Sequence, residues 1–491
     1  MNKILLANSY FLKHDPKEYK GMNLYAPLGT LYAASYLKQQ GYGVHLFDTM
    51  LANSELDLMK ELKSHKPDIF VIYDDSFNYL TKMCLTRMRE AAFNMSEIAK
   101  DYGCKVIISS SDSTDHTEKY FLHKADYIII GEGEITLGEI IGHLTSPSQK
   151  NLNEIEGLAY VENDVIVKTK KRNVIKDLNS LPFPDWSLID VERYKKLWYK
   201  NRGYFSMNIV TTRGCPYHCN WCAKPIYGQV YNSRSAGSVV AEMKFLKEKY
   251  SPDHIWFCDD IFGLKPNWIQ KFDETVNKEN VKIKFKCLSR VDLLLKENNI
   301  THLASSGCDS VWVGAESGSQ RILDAMDKGT TVEQIYQSRE LLGKKQIKTC
   351  FFLQFGYSEE TKEDIALTLK MVNDLMPDDI GISVSYPLPG TKFYDRVLSQ
   401  MNKKQNWEKS DDFEMMFDGE YSTKYYRILH KKVHKEFRSR QILNNPLKKI
   451  KSLWKLPYYM LGWWWNSIKL NKSELKDKRE KKFPELIEAI N

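Results

Sequence analysis

Three cysteines carry the chemistry that this sequence displays most clearly. Cys215, Cys219 and Cys222 follow the spacing C-x3-C-x2-C, and we expect no fourth cysteine or histidine ligand beside them. A structural zinc site takes four protein ligands, whereas an iron–sulfur cubane can leave one iron open for a substrate. The spacing therefore favours a [4Fe-4S] cluster over its two rivals, a zinc loop or three unrelated buried thiols.

Length and composition limit what surrounds this motif. A chain of 491 residues predicts two or three domains, and 42% hydrophobic with 27% charged residues is an ordinary globular composition. The nine cysteines show no regular pairing pattern, so we expect no disulfide framework and a reducing, cytoplasmic location. The apolar run after Met1 is too short for a signal peptide.

Residues 1–148 alternate buried strand patterns with helical ones, beginning with a strand over residues 3–7 and a helix over 28–38. This order predicts an α/β domain with a doubly wound, Rossmann-like parallel sheet. Ligands of such sheets bind beyond the carboxyl ends of the strands. The loops there carry small and acidic residues, namely Asp48, residues 73–76, Ser110 and Ser111, and Gly131 and Gly133. The alternative is that these are only tight turns between strands and helices.

Residues 149–200 are predicted to form a linker with a small hairpin, and residues 201–400 to hold six strand-and-helix units. The predicted strands cover residues 207–210, 255–258, 282–288, 310–313, 349–353 and 381–386. Six units form an open, partial (β/α)6 barrel. The cysteine loop follows the first strand and therefore lies at the carboxyl end of the barrel, where such folds collect their active-site groups.

Polar residues follow three of the other strands. Asp259 and Asp260 could accept hydrogen bonds from an ammonium group, or they could form a solvated turn. Arg290 could balance a carboxylate, and its alternative is a surface ion pair. Glu316 ends the segment Gly-Ala-Glu after the fourth strand.

The cysteine spacing, with Trp221 before the last cysteine, resembles the radical S-adenosylmethionine (SAM) family. So do the segments 314–319 and 387–391, the latter reading Pro-Leu-Pro-Gly-Thr. The resemblance implies that SAM chelates the open iron and that one electron cleaves it to a 5′-deoxyadenosyl radical. It also implies that Glu316 contacts the ribose, that Ser317 and Ser319 meet the methionine carboxylate, and that Pro387 flanks the adenine.

The N-terminal layout, with Tyr-Ala-Pro-Leu-Gly at 25–29 and Ile-Gly-Glu-Gly-Glu at 130–134, resembles the cobalamin-binding domain that precedes many radical SAM domains. Over residues 1 to 400 the chain looks most like the branch with the anaerobic magnesium-protoporphyrin IX monomethyl ester cyclase and the class B methyltransferases. Three departures stand out: there is no D-x-H-x-x-G motif, Ser109–Ser111 replaces a Gly-Gly pair, and the turn at 355–361 lacks the usual Pro-Gly.

This resemblance implies an enzyme that functionalises an unactivated carbon, by methylation or by cyclisation or oxidation without methyl transfer. Its expected cofactors are the [4Fe-4S] cluster, SAM and cobalamin. Its expected partners are a small-molecule or lipid-like substrate and an electron donor such as flavodoxin or ferredoxin, and DNA is not expected. A hypothesis of another class is a cluster-bearing RNA-binding or regulatory protein.

Residues 401–491 are predicted to be a helical extension rich in aromatic and basic residues. Residues 424–455 contain eleven Lys or Arg and a single acidic residue, Glu436. Tryptophans and tyrosines beside lysines suit the headgroup layer of a membrane. The segment 445–470 therefore predicts contact with the inner membrane surface, and its rivals are a helical cap on the barrel and a face for single-stranded RNA.

Overall fold

The computed structural model describes residues 3–74, 77, 85–146, 150–296, 298–404, 406–444, 446–447 and 449–482. Its first sheet has the strand order β2-β1-β3-β4-β5-β6-β7, in which β1 to β5 are parallel and β6 and β7 form an antiparallel hairpin at the edge. The strands are β1 (Lys3–Ala7), β2 (Gly43–Phe47), β3 (Ile69–Tyr73), β4 (Lys105–Ser109), β5 (Tyr127–Ile129), β6 (Leu158–Glu162) and β7 (Val165–Lys168). The predicted linker hairpin thus extends this sheet.

Both faces of the first sheet are covered, as the doubly wound prediction requires. Successive residues of a strand point to opposite faces. In β1, Leu5 lies in one apolar cluster with Met95, whereas Leu6 lies in another with Leu37 and Ile140. The helices are Pro16–Gly21, Leu28–Gln39, Leu58–His65, Thr86–Tyr102, Ser111–Asp115, Thr117–Leu122 and Glu134–Thr145.

The second sheet is a fully parallel, six-stranded partial barrel with the order β15-β14-β13-β12-β11-β8. Its strands are β8 (Ser206–Ile209), β11 (His254–Phe257), β12 (Lys284–Ser289), β13 (Cys308–Glu316), β14 (Lys348–Phe355) and β15 (Asp379–Val384). A short antiparallel pair, β9 (Thr212–Arg213) and β10 (Asn232–Ser233), frames the cysteine loop. The predicted α/β class with an open six-unit barrel is confirmed.

Helices pack outside the barrel strands and then form a C-terminal helical extension. They are Val191–Arg202, Ala236–Tyr250, Trp268–Lys278, Val291–Leu294, Asn299–Ser306, Gln320–Ala325, Val332–Lys344, Lys362–Leu375, Lys392–Val397, Thr423–Asn444 and Leu456–Lys482. The last two pack against each other. Among the described residues, no helix combines the length and the apolar character needed to cross a bilayer.

Candidate functional site at the carboxyl end of the barrel

The cysteine loop begins directly after β8 and β9 and holds three partly buried free thiols, those of Cys215, Cys219 and Cys222. Burial raises the pKa of Cys215. Over the described residues, no three His, Cys, Asp or Glu side chains surround a single metal position. A [4Fe-4S] cubane does not need such a shared position, because each of its cysteine ligands binds a different iron. The donor set of three thiols on one short loop therefore fits a [4Fe-4S] cluster.

The expectation of no nearby histidine needs a correction, because His218 lies inside the loop. Its Nδ1 is 3.0 Å from the Nε2 of Gln229. The side chain of Gln229, on the far side of the loop, also reaches the carbonyl of Tyr217. His218 is therefore held by a neighbouring amide.

Arg213 anchors the start of the loop to the N-terminal sheet. Its guanidinium donates to Glu132 and to Glu134, with an Nη2–Oε1 distance of 2.7 Å to the latter, and all three side chains are buried. The ring centroids of Tyr32 and Tyr227 lie 5.6 and 5.4 Å from its Cζ. The acidic residues come from the loop after β5, so a buried ion network joins the cluster loop to the carboxyl edge of the first sheet.

The turn from β8 into the loop is fixed by a glycine and a carboxylate. Gly214 has φ +81°, and a Cβ there would lie 2.3 Å from the carbonyl oxygen of Val230, so only glycine fits. Asp259 accepts hydrogen bonds from the backbone N–H groups of Thr211 at 2.6 Å and Thr212 at 2.8 Å. Burial raises the pKa of Asp259 to about 6. Its neighbour Asp260 is exposed and lies near Cys215.

Asn220, between the second and third cysteines, anchors the other end of the loop. Its backbone N–H donates to Met326 at 3.0 Å, and its Oδ1 accepts from the hydroxyl of Tyr357 at 2.8 Å. Its carbonyl accepts from the N–H of Phe393 at 2.9 Å. The loop is thereby tied to the segments that follow β13, β14 and β15. Sequence reasoning missed both Arg213 and Asn220.

Arg290, which follows β12, braces the same loop from the side. Its Cζ lies 3.6 Å from the ring centroid of Tyr217, and its Nε donates to Asp292 at 2.9 Å. The residue is buried. The predicted alternatives are a carboxylate partner and a surface ion pair, and the structure shows a partly buried pair with Asp292 together with a stacked ring.

Glu316 ends β13 in a strained conformation. Its φ is +56°, a left-handed value that is costly for a glutamate, at a point where the register of β13 against β14 shifts. Its Oε1 accepts from Lys328 Nζ at 2.7 Å, and both side chains are buried. The space for this pair exists because residue 314 is glycine: a Cβ there would lie 2.4 Å from Glu316 Oε1.

The hydroxyls of Ser317 and Ser319 point toward the helix Lys362–Leu375. Ser317 Oγ lies 3.1 Å from the hydroxyl of Thr368, and Ser319 Oγ donates to Asp364 at 2.6 Å. Both serines are buried, so these hydroxyls secure the loop after β13 against the barrel helix. Pro387, after β15, is buried as well.

The predicted cobalamin residues lie at the carboxyl edge of the first sheet, facing the cysteine loop. Ser110 caps the helix Ser111–Asp115, and Ser111 is the first residue of that helix. A Cβ on Gly133 would lie 2.8 Å from the ring of Tyr73, and one on Gly131 would lie 3.7 Å from the carbonyl of Ile226. Gly133 therefore leaves room for the ring of Tyr73 in the same sheet, and Gly131 lies close to the backbone of the cysteine loop. Asp75 and Ser76 of the same edge lie outside the described residues.

The inner wall of the barrel is open and aromatic. On β14 Phe351 is fully buried under helices, whereas Phe352, on the inner face, is 39% exposed and stacks on Trp312 at 4.7 Å. Lys286 projects from β12 with its Nζ 3.6 Å from the ring centroid of Trp256. Burial lowers the pKa of this lysine to about 8. Within the described part of the chain, no carboxylate forms an ion pair with the Lys286 ammonium.

Residues 209–372 match the Radical SAM superfamily. The chain contains a radical SAM domain. The match starts at the end of β8 and ends within the helix Lys362–Leu375. It therefore includes the three cysteines, Asp259, Arg290 and Glu316, whereas Pro387 and the residues of the first sheet lie outside it. The predicted radical SAM enzyme is thereby confirmed.

Named relatives extend the likeness beyond this domain. An uncharacterised methyltransferase of Pyrococcus horikoshii is 26% identical over 390 residues, 78% of this chain and 81% of the relative. A putative methylthiotransferase of Methanocaldococcus jannaschii is 29% identical over 439 residues, 86% of each chain. An anaerobic magnesium-protoporphyrin IX monomethyl ester cyclase of Rubrivivax gelatinosus is 26% identical over 381 residues, 76% of this chain and 66% of the relative. The predicted likeness to cyclases and methyltransferases is confirmed.

The solved structure of OxsB, described as a cobalamin-dependent S-adenosylmethionine radical enzyme with aqua-cobalamin bound, has the same fold. It superposes with a TM-score of 0.72 at 18% identity, over 95% of this chain and 72% of OxsB. The likeness therefore includes the N-terminal sheet and the barrel together.

Proposed function

We propose that this chain is a cobalamin-dependent radical SAM enzyme that functionalises, by methylation, an unactivated carbon of a small or lipid-like substrate. Cys215, Cys219 and Cys222 would hold the [4Fe-4S] cluster. When bound, the cluster and cobalamin would supply electron transfer to SAM and a transferable methyl group. The protein would supply position, a dry site, and contact with a one-electron donor such as flavodoxin or ferredoxin.

One observation carries this proposal: the buried network of Arg213, Glu132 and Glu134 sets the thiol loop against the carboxyl edge of a doubly wound sheet. Ligands of such sheets bind at that edge. A cobalamin on the first sheet and a cluster on the loop would therefore face a common space. Gly131 lies at this edge close to the cysteine loop, with the carbonyl of Ile226 beside it.

The inner barrel wall supports the substrate class. The stacked rings of Trp312 and Phe352 offer an apolar surface to a flat body, and the ammonium of Lys286 lies over the ring of Trp256. A partly buried cation gains most from an anionic partner. A substrate with an apolar body and a carboxylate or phosphate would satisfy both features.

The proposed location is the cytoplasm. The eight cysteines in the described part of the chain are free thiols, and an oxygen-sensitive cluster requires a reducing compartment. In this setting the electron donor would be a soluble reduced protein.

The test is an anaerobic reconstitution of the full chain with iron, sulfide and hydroxocobalamin, followed by SAM and a strong reductant. Bound cobalamin, 5′-deoxyadenosine and S-adenosylhomocysteine are quantified. We expect cobalamin to be retained and both SAM products to form in the wild type, and 5′-deoxyadenosine to disappear in Cys219→Ala. Cys104→Ala removes a buried thiol of the first sheet and is the matched control, with products unchanged.

Other outcomes separate the alternatives. Deoxyadenosine without S-adenosylhomocysteine, also in the presence of extracts that contain the substrate, would favour a cyclase or oxidoreductase, the activity named for the Rubrivivax relative. Absence of both products from protein with a full complement of iron would refute the enzyme proposal and favour the cluster-bearing RNA-binding or regulatory protein.

A further inference from the structure

The C-terminal extension has two unlike faces. The helix Leu456–Lys482 packs one face on the helix Thr423–Asn444 and on the barrel. Leu470 is buried there, and Glu474 accepts from Lys362 of the barrel at 2.9 Å. This face is the helical cap considered among the sequence-based alternatives. A cap alone leaves the opposite face unexplained.

The opposite face exposes large apolar side chains. Trp454 is 75%, Leu461 66% and Trp465 53% exposed. Isolated exposed apolar residues are common, but a cluster of this density marks an interaction site. We call it the aromatic–lysine surface, and its described members are Leu447, Ile450, Trp454, Tyr458, Leu461, Trp464 and Trp465 with Lys449, Lys451, Lys455 and Lys469.

The lysines share this surface with the rings. Lys455 lies 5.2 Å from the ring centroid of Trp454, and Lys469 lies 5.2 Å from that of Trp465. Lys435, from the preceding helix, lies 3.1 Å from the ring centroid of Tyr458. Ammonium groups therefore lie against the rings of this surface.

The charge of the surrounding chain has one sign. From Phe437 to Ser473 the sequence has eight Lys or Arg and no Asp or Glu. An anionic bilayer attracts each nearby basic side chain by about 1 kcal/mol, and Trp and Tyr bury their rings at the headgroup level. No described helix is suited to span the bilayer, so contact would be peripheral.

We propose that the aromatic–lysine surface docks the protein on an anionic membrane surface. Two features favour lipid over single-stranded RNA. Leu447, Ile450 and Leu461 offer aliphatic groups, which have no ring face to stack on a base. Residues 441–478 contain lysine and no arginine, whereas arginine is the usual side chain for forked phosphate and base recognition.

The experiment is flotation of the full chain with vesicles of phosphatidylcholine, with and without phosphatidylglycerol. We expect flotation only with the anionic vesicles and partial release by high salt, because exposed charges are screened. Trp464→Ala/Trp465→Ala should weaken binding at least about tenfold, since two rings leave the headgroup layer. Leu56→Ala/Leu122→Ala removes two apolar side chains elsewhere that are even more exposed, at 71% and 79%, and should leave binding unchanged.

Charge is tested separately. Lys451→Glu/Lys455→Glu should abolish the preference for anionic vesicles, while Lys60→Glu/Lys63→Glu, an exposed pair of the first domain, should keep it. The proposal is overturned if all variants float equally, or if the wild-type protein does not float with any vesicle. Tight binding of single-stranded RNA that excludes vesicles also overturns it, as does a dimer in solution that the tryptophan variant turns into monomers. Vesicle binding needs no catalysis, so the outcome of the flotation test is independent of whether the proposed function is correct.

Discussion

Replacing Arg213 by methionine tests whether the cluster loop depends on its buried anchor. Methionine keeps the length and apolar body of the side chain and removes the charge. Glu132 and Glu134 then remain buried with no cation beside them. Burial already raises the pKa of Glu132 in the presence of Arg213, and without the guanidinium it should rise further.

The magnitude follows from the geometry. Removing one partner of a buried ion pair costs about 3–5 kcal/mol, because a charge is left without compensation. Loss of the ring contacts to Tyr32 and Tyr227 adds to this cost. An exposed pair such as Arg87 with Glu90, at 57% and 50% side-chain exposure, is worth about 0–1 kcal/mol, so Arg87→Met is the matched control.

Hydrogen exchange of peptides that cover residues 209–216 measures the local opening free energy. Arg213→Met should speed exchange there on the order of a hundredfold, as expected for about 3 kcal/mol, and should lower the iron bound after reconstitution. The effect should be smaller at pH 5 than at pH 8, because protonation of Glu132, whose pKa is raised by burial, removes its uncompensated charge. Glu132→Gln/Glu134→Gln combined with Arg213→Met should recover part of the loss. Exchange and iron content matching those of Arg87→Met would refute the reasoning.

Two further variants probe the turn and a buried acid. Gly214→Ala forces a Cβ to 2.3 Å from the carbonyl of Val230 and should reduce reconstituted iron severalfold. Its control is Gly228→Ala, which is also at positive φ but has open space around it. This control should lower the free energy of unfolding by only about 1–2 kcal/mol. Burial raises the pKa of Glu360 to about 8, so the folded state holds a proton that the unfolded state releases, and wild-type stability should fall as pH rises from about 4.5 to 8. Glu360→Gln should remove this loss of stability with rising pH. A difference in Tm between wild type and Glu360→Gln that stays constant with pH would contradict the prediction.

Much of the fold could be predicted from local patterns. The helix Leu28–Gln39 and the strand Lys3–Ala7 lie where the apolar spacing puts them, since that spacing reflects which face is buried. The pairing of the β6–β7 hairpin with β5 could not be predicted, because edge pairing is decided by contacts distant in the chain. The same holds for Arg213 and Asn220, whose partners Glu134 and Tyr357 are 79 and 137 residues away. A charged residue beside a buried strand was the one local signal for Arg213.

The site also shows what the sequence motifs do in the fold. Asp259 accepts hydrogen bonds from the N–H groups of residues 211 and 212, and Glu316 accepts one from Lys328. Ser319 donates its hydroxyl to Asp364. These residues therefore brace the ends of three strands before any ligand arrives. A ligand must then bind to exposed groups such as Asp260 and backbone amides, or exchange for an existing partner. Glu316 is the candidate for such an exchange, because its left-handed backbone is a strained conformation of the kind that collects at functional sites.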